Sequence, residues 1–234
     1  GVLAWWAVRG AARGAGGVSE LGAALSQLAE PALNTAVASI AAAAAAVVLV
    51  APVAFLTARQ RSASGAAANA VIVGGFALPG LAIALSLVVV TLGAPGPLGR
   101  LYQTLPLLVF AYVVHFGAQA LRASQAAVAG VPRGVEDAAR VLGARRAARL
   151  VRVELPLMAP GLLAGGGLVL LSSMKELPAS LLLAPAGFQT LAMKIWGATE
   201  SALFGLAAIG SLVLIALSAL LTWALVIRRG DMFV

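Results

Sequence analysis

The chain has 234 residues, of which 62% are hydrophobic and only 10% charged, and its formal net charge is +8. Soluble domains are about half apolar and a quarter charged, so this composition and a mean hydropathy of +1.02 exclude an ordinary soluble domain and favour a protein folded in a bilayer. The absence of cysteine and the single histidine exclude disulfides and thiolate or histidine metal clusters, and we expect no metal site. The arginines lie between apolar runs, which does not indicate a nucleic-acid partner.

The first apolar stretch, Val2–Val8, is too short to cross a membrane, although Trp5 and Trp6 suit a membrane interface. The chain begins without a methionine and without the layout of a signal peptide. We therefore expect this stretch to be the tail of a truncated helix, and the chain to be a fragment of a longer membrane protein.

Five later segments are each apolar over about 20 residues, which is the length that crosses the hydrocarbon core as a helix. They cover about 32–57, 67–92, 104–121, 157–174 and 203–227. The sequence thus predicts an all-α polytopic bundle of five full spans plus a partial one at the N-terminus. Glycines recur inside the second and fourth spans, at Gly74, Gly75, Gly80, Gly161 and Gly165–Gly167. We expect them to allow close helix packing, with a hinge near Pro79 as the alternative.

Strict alternation of five spans places 11 of the 16 basic residues on one side. These are Arg59, Arg61, Arg122, Arg133, Arg140, Arg145, Arg146, Arg149, Arg152, Arg228 and Arg229. Because Lys and Arg concentrate in cytoplasmic loops, we expect the 123–156 loop and the C-terminus to be cytoplasmic. Lys175 and Lys194 then lie outside.

The loop at 131–156 is the only long polar insertion between spans. Pro132 suits the first position of a helix, and Glu136 is placed to pair with Arg140 one turn later. Gly143 predicts a left-handed turn that ends this helix, and we expect a second short helix before Pro156 starts the next span. The loop is predicted to be either an interfacial helix held by anionic lipid or a docking element for a cytoplasmic partner.

A resemblance favours docking. Asp137-Ala138-Ala139, then Gly143, Val153 and Leu155-Pro156, resemble in spacing the EAA loop of bacterial ABC importer permeases of the MetI-like type. Asp137 replaces the glutamate of that pattern, and Val153 replaces an isoleucine. The resemblance implies that the loop inserts into a groove on an ATP-binding subunit. It implies coupling roles for Glu136, Asp137, Ala138, Ala139, Gly143, Arg145, Arg146, Leu155 and Pro156.

A second stretch, Lys175–Ala192, resembles ferric-iron permeases, which are long chains with two fused halves, and this chain resembles the second half. The resemblance implies one permease domain over 1–234 and ferric iron as cargo, with thiamine and aminoethylphosphonate permeases as alternatives. The implied partners are an ATPase that holds the ATP, an extracytoplasmic binding protein, and the other permease half or a second copy in the bacterial inner membrane. The chain itself is expected to hold no cofactor.

Polar residues inside the spans are candidates for the translocation path or the outer gate. Tyr112, His115 and Gln119 share one helix face, and Lys175 with Glu176 ends the fourth span. The alternative is structural: hydrogen bonds between helices for the first group, and helix termination at Pro178 for the second. Asn34 and Asn69 lie at span ends, where we expect local capping bonds.

Catalytic patterns are missing from the sequence. Both lysines follow methionine and no Gly-rich phosphate loop surrounds either, so we expect no ATP hydrolysis by this chain and no enzyme activity. A secondary transporter is disfavoured because no acidic residue lies at mid-span. A membrane anchor for a cytoplasmic partner remains the other alternative.

Overall fold

The structure, a computed structural model, describes residues 1–2, 5–6, 18–60, 62–93, 96–143 and 145–228. Within these ranges the side chains of residues 18–21, 60, 97, 133, 136, 146 and 227 are outside the description. The helices are α1 Val18–Phe55, α2 Ala63–Ala77, α3 Gly80–Gly93, α4 Leu105–Gly130, α5 Arg133–Val141, α6 Arg146–Arg149, α7 Leu155–Met174, α8 Pro178–Leu183, α9 Leu191–Glu200 and α10 Phe204–Thr222. Widened π-helical turns follow α1, α6 and α10, at Leu56–Gln60, Leu150–Glu154 and Trp223–Ile227, and a 3-10 turn covers Gly96–Leu101.

The described residues confirm the all-α prediction and place a helix at each of the five apolar segments. Four helices are long and apolar enough to cross a bilayer: Gly22–Arg59, Leu105–Gly130, Ala147–Met174 and Phe204–Val226. The first three are longer than the apolar runs from which they were predicted, because polar residues continue the helix beyond the hydrocarbon core, whereas Phe204–Val226 lies within the predicted run. The predicted tail at Val2–Val8 lies largely outside the described residues.

The second predicted span is broken. α2 and α3 meet at an angle of 110° at Leu78-Pro79, and Leu78 is extended with φ −83° and ψ 141°. Proline disfavours the helical conformation in the residue before it and donates no hydrogen bond, which accounts for the break. The bend therefore lies at Pro79, the position at which a hinge was the alternative prediction.

The chain divides into two compact units, and the first contains Gly1–Ala41, Gly80–Ala111 and Leu171–Leu221. Its core is aliphatic: Leu28 of α1, Leu191 of α9 and Ile209 of α10 are buried together. Within the same unit α3 packs against α8, and the rings of Trp6 and Phe204 lie 5.5 Å apart.

The second unit contains Ala42–Pro79, Tyr112–Leu170 and Thr222–Val234, and its helices pack through glycines. A Cβ added at Gly161 would meet the Cβ of Ala127 at 2.6 Å, and one at Gly75 would meet the carbonyl oxygen of Val114 at 2.6 Å. The close-packing prediction is thus confirmed at these positions. It is wrong for Gly74, where an added Cβ has no neighbour within 4 Å because the residue faces away from the other helices.

The prediction that the two asparagines make local capping bonds is also wrong. Asn34 lies inside α1, and its Nδ2 donates to the carbonyl of Gln189 at 3.1 Å, 155 residues along the chain. Asn69 lies inside α2 and accepts from Gln125 of α4 at 3.0 Å. Because both helices extend past the predicted ends, these side chains are free to bond to other helices instead of capping their own.

Candidate functional site

The first part of the 131–156 loop is a short helix that ends at a left-handed glycine. After α5, the N–H of Leu142 donates to the Ala138 carbonyl at 3.0 Å, and the N–H of Gly143 donates to the Arg140 carbonyl at 3.0 Å. Gly143 has φ +79°, a conformation that glycine adopts without strain, which confirms the predicted turn. The helix begins at Arg133, one residue after the predicted start, because Pro132 occupies the capping position.

Two large apolar side chains stand exposed at the end of this helix. Val141 and Leu142 are each 87% exposed, the highest values among the exposed large hydrophobic side chains of the described residues. Asp137 and Ala138 are exposed as well, while Ala139 is half-buried. We refer to Asp137–Gly143 as the loop tip. An apolar surface of this kind on a polar helix is typical of a contact site for another protein.

The polar residues of the loop tip make few bonds. Arg140 Nη1 lies 3.2 Å from Asp137 Oδ1, and both side chains are 64% exposed, so this pair adds little stability. The expected partner of Arg140, Glu136, has a side chain outside the description, as does Arg146. Arg145 is exposed.

The second half of the loop differs from the prediction, because no break separates it from the next span. The helix is continuous from Ala147 to Met174 and passes through Pro156. The reason is the π-helical turn Leu150–Glu154, in which the N–H of Leu155 donates to the carbonyl of Leu150, five residues back. This widened turn shifts the hydrogen-bond register just before Pro156, so the missing N–H of proline does not end the helix.

A buried ion pair fixes the base of the loop. Arg149 Nε lies 2.9 Å from Glu154 Oε1, and these side chains are 14% and 8% exposed. Sequence reasoning missed this pair because a spacing of five residues does not place two side chains together on a regular α-helix. The π-helical turn between them brings the two residues onto one side.

Arg59 ties the other end of the loop to the end of α1. Its Nη2 donates to the Val131 carbonyl at 2.7 Å. Arg59, Arg149 and Glu154 also line a cavity of about 550 Å³ whose remaining walls are apolar residues of α1, α7 and the adjoining π-helical turns. The loop tip is therefore carried on a base anchored at both ends.

Gln125 of α4 holds three helical segments together next to this base. Its Nε2 donates to Thr57 Oγ1 at 2.8 Å and to Asn69 Oδ1 at 3.0 Å, while its Oε1 accepts from Arg122 at 3.2 Å. Polar side chains that bond between helices in this way stabilise membrane bundles. Nothing in the sequence distinguished Gln125 from a surface residue.

The candidate path residues of α4 lie in packed surroundings. Tyr112 is 1% exposed, and its ring lies 6.5 Å from that of Phe116. The His115 ring lies 4.4 Å from Phe116 and 6.4 Å from Phe76 of α2. Gln119 is half-buried. These are ring-packing contacts, and His115 Nδ1 is buried without a hydrogen-bond partner among the described residues. A role along the path and the hydrogen-bonding alternative both stay predictions.

Lys175 and Glu176 lie just after α7, as the helix-ending interpretation required. Glu176 Oε1 accepts from the N–H of Ala179 at 3.3 Å and so caps α8, whose first residue is Pro178. Lys175 is exposed. The described residues contain no group of three or more His, Cys, Asp or Glu side chains that could hold a metal ion.

Comparison with known proteins adds relatives. The chain is 32% identical over 144 residues to an Fe(3+)-transport system permease protein of Haemophilus influenzae, covering 62% of this chain and 28% of the relative. It is 34% identical over 137 residues to a putative ABC transporter permease protein of Streptomyces antibioticus, covering 58% of each. It is 30% identical over 145 residues to a putative 2-aminoethylphosphonate transport system permease protein of Salmonella typhimurium, covering 62% of this chain and 54% of the relative.

The chain thus spans less than two thirds of the length of each of these relatives. The family comparison matches residues 50–228, which include the loop, its anchors and all helices from α2 to α10. The protein therefore belongs to the family described as binding-protein-dependent transport system inner membrane component.

Proposed function

We propose that this chain is the permease component of an ATP-driven importer and that its loop tip docks onto a separate ATPase subunit. The observation that carries the proposal is the exposure of Val141 and Leu142, 87% each, on a loop whose base is anchored by buried polar contacts. The apolar tip can bind a partner protein, and the fixed base can transmit the partner's movement to the membrane helices.

Transmission follows from the continuous helix. Beyond the left-handed turn at Gly143 come α6, the π-helical turn and α7, and the helix is continuous from Ala147 to Met174. A displacement of the loop tip would therefore reach the inner end of this membrane helix through a connection of only a few residues. The Arg149–Glu154 pair stiffens the turn where such a helix would otherwise bend. ATP binding and hydrolysis on the partner would thereby alternate access between the two membrane sides.

The arginine distribution supports a cytoplasmic loop and C-terminus, hence inward transport across the bacterial inner membrane. A binding protein outside would deliver the cargo. The other permease half, or a second copy, would complete the path, since the chain spans only part of its relatives' length.

Ferric iron is the cargo that we propose, because Lys175–Ala192 resembles ferric-iron permeases and one relative is an Fe(3+)-transport permease. An aminoethylphosphonate cargo is the second candidate, supported by the Salmonella relative. Uptake into vesicles that contain the assembled transporter distinguishes them, and it also tests the anchor alternative, which predicts no ATP-dependent accumulation of either solute.

The docking proposal is tested by co-purifying the full-length permease with its ATPase. Leu142→Asp and Ala139→Asp place a charge in the contact, and each should weaken the complex by at least tenfold, or about 1.4 kcal/mol. Leu98→Asp is the matched control: Leu98 is also an exposed leucine, at 48%, in the 3-10 turn far along the chain. If Leu142→Asp and Leu98→Asp retain the ATPase equally while both proteins insert, the docking proposal is wrong.

A further inference from the structure

The first unit contains a polar cavity that the transport mechanism above does not use. It measures about 360 Å³ and lies between α1, α9 and the start of α10. Its polar lining consists of Gln27, Gln189, Lys194 and Ser201, and its apolar lining includes Met193 and Leu206. Among the residues that the structure describes, no carboxylate lines it. We call it the Lys194 cavity.

Lys194 lies on the face of α9 that lines the cavity. Leu191 and Ile195 of that helix pack on Leu28 and Ile209 in the aliphatic core, whereas Lys194, Gly197 and Ser201 line the cavity on another face. The Lys194 side chain is half-buried and has no ion pair or hydrogen bond to any described residue. A partly desolvated ammonium group without a counter-ion attracts an anion.

The cavity walls are fixed in place. Thr35 of α1 accepts from the N–H of Leu191 at 2.8 Å, and Asn34 donates to the Gln189 carbonyl at 3.1 Å. The segment that carries Gln189 is therefore held against α1 on both sides of the buried Thr190. Gln27 is seven residues before Asn34 and so lies on the same side of α1. The backbone that carries Gln189 is thus fixed before a ligand binds, which lowers the entropy lost on binding.

We propose that the Lys194 cavity binds an anionic oxygen group, a carboxylate or phosphonate, of the solute that the permease carries. Lys194 supplies the charge, and the amides of Gln27 and Gln189 with the Ser201 hydroxyl supply directed hydrogen bonds to the oxygens. A volume of about 360 Å³ admits a small organic anion. Only the identification of the anion as cargo rests on the proposed function. A phosphonate or a carboxylate-chelated metal fits this chemistry, whereas a bare cation does not.

The two lysines of the chain make a direct test possible. The full-length permease, in neutral detergent, is treated with a trace amount of acetic anhydride, and acetylation of each lysine is followed by mass spectrometry. Methylphosphonate or acetate should slow the acetylation of Lys194 several-fold and saturably, while exposed Lys175 is unaffected. Sodium chloride at equal ionic strength should protect neither. Equal protection of both lysines, or of neither, overturns the proposal.

A second variant tests whether the anion lies inside the cavity. A Cβ added at Gly197 meets no atom within 4 Å, so the backbone there accepts a side chain, and Gly197→Leu places an apolar side chain at the wall of the cavity. Leucine also suits the helix better than glycine. This variant should fold and lose the protection of Lys194, and persistent protection overturns the proposal. Protection seen only in phosphatidylglycerol nanodiscs, or only with the purified binding protein, would assign the cavity to a lipid headgroup or a docking contact and also overturn it.

These measurements need neither the ATPase nor transport. Failure of the Leu142→Asp test would therefore leave the anion result standing, and loss of anion protection would leave the docking result standing.

Discussion

The base of the 131–156 loop and the Lys194 cavity differ in whether a basic side chain is paired with an acid of the same chain. At the loop base, Arg149 meets Glu154 at 2.9 Å with little solvent access, so the charge is neutralised inside the chain. In the cavity, Lys194 is half-buried with no acid beside it in the described residues. We infer that the Arg149 charge maintains the structure, whereas the Lys194 charge is available to a ligand. The variants below test that distinction.

The largest effect is expected from breaking the buried pair. Glu154→Leu leaves Arg149 buried without a partner, which should lower the free energy of unfolding by about 3–5 kcal/mol. Lys194→Met, by contrast, should change it by less than about 0.5 kcal/mol, since the side chain has no ion pair or hydrogen bond to a described residue and methionine keeps much of its apolar stem. Titration of the detergent-solubilised protein with sodium dodecyl sulfate, followed by circular dichroism, gives both values.

A double variant checks the interpretation. Arg149→Met combined with Glu154→Leu should recover most of the lost stability, because an apolar pair replaces the ion pair without leaving a buried charge. If the double variant is as unstable as the single one, the loss in Glu154→Leu does not come from a buried arginine left without a partner.

Alanine substitution of glycines should also lower the free energy of unfolding by different amounts in the two units, although the difference is smaller. Gly161→Ala places a Cβ 2.6 Å from the Cβ of Ala127, which moves only with its backbone, and should cost about 1–3 kcal/mol. Gly210→Ala near the cavity meets Cγ1 of Ile195 at 3.0 Å, a side-chain atom that can shift, and should cost less than about 1 kcal/mol. Gly74→Ala, which meets nothing within 4 Å, is the control for helix propensity. Equal costs at Gly161 and Gly210 would contradict the rigid packing assigned to Gly161.

Each region also has a glycine with the same left-handed backbone conformation. Gly143 and Gly187 both have φ +79°, and an added Cβ at either meets no atom within 4 Å. Alanine at either position should therefore cost about 1 kcal/mol of stability through the backbone alone. Only Gly143→Ala should weaken co-purification with the ATPase, and only Gly187→Ala, two residues before Gln189, should reduce anion protection of Lys194. A loss of both functions in either variant would mean that the two regions are not separate.

The sequence predicted the parts of this molecule that depend on local patterns. Four of the five apolar runs are single long helices and the second is a bent pair, and Gly143 forms the predicted left-handed turn, because span length and glycine geometry are properties of short stretches. The break at Pro79 was foreseen only as an alternative, since a proline can kink a membrane helix slightly or split it.

The parts that were missed depend on contacts distant in the chain or on unusual helix geometry. Arg149 and Glu154 meet only because a π-helical turn lies between them. The Lys194 cavity joins Gln27 to residues more than 160 positions later, and no spacing rule connects them. The segment from Lys175 to Ala192 was informative only through resemblance, while its neighbour Lys194 was placed on the outer side of the membrane and given no role.

Among the variants of the loop, the smallest effect on stability is expected at the exposed pair of the loop tip. Asp137 and Arg140 lie 3.2 Å apart but are both 64% exposed, so Asp137→Asn should lower the free energy of unfolding by less than about 1 kcal/mol. Lys175→Gln, at an exposed charge in the first unit, should be equally mild. If Asp137→Asn nevertheless weakens the ATPase complex while Lys175→Gln does not, the carboxylate acts on the partner and not on its own helix. Because the docking proposal needs such an outward-facing acid or an apolar contact at Leu142, weakening by Leu142→Asp alone would assign the binding energy to the apolar tip.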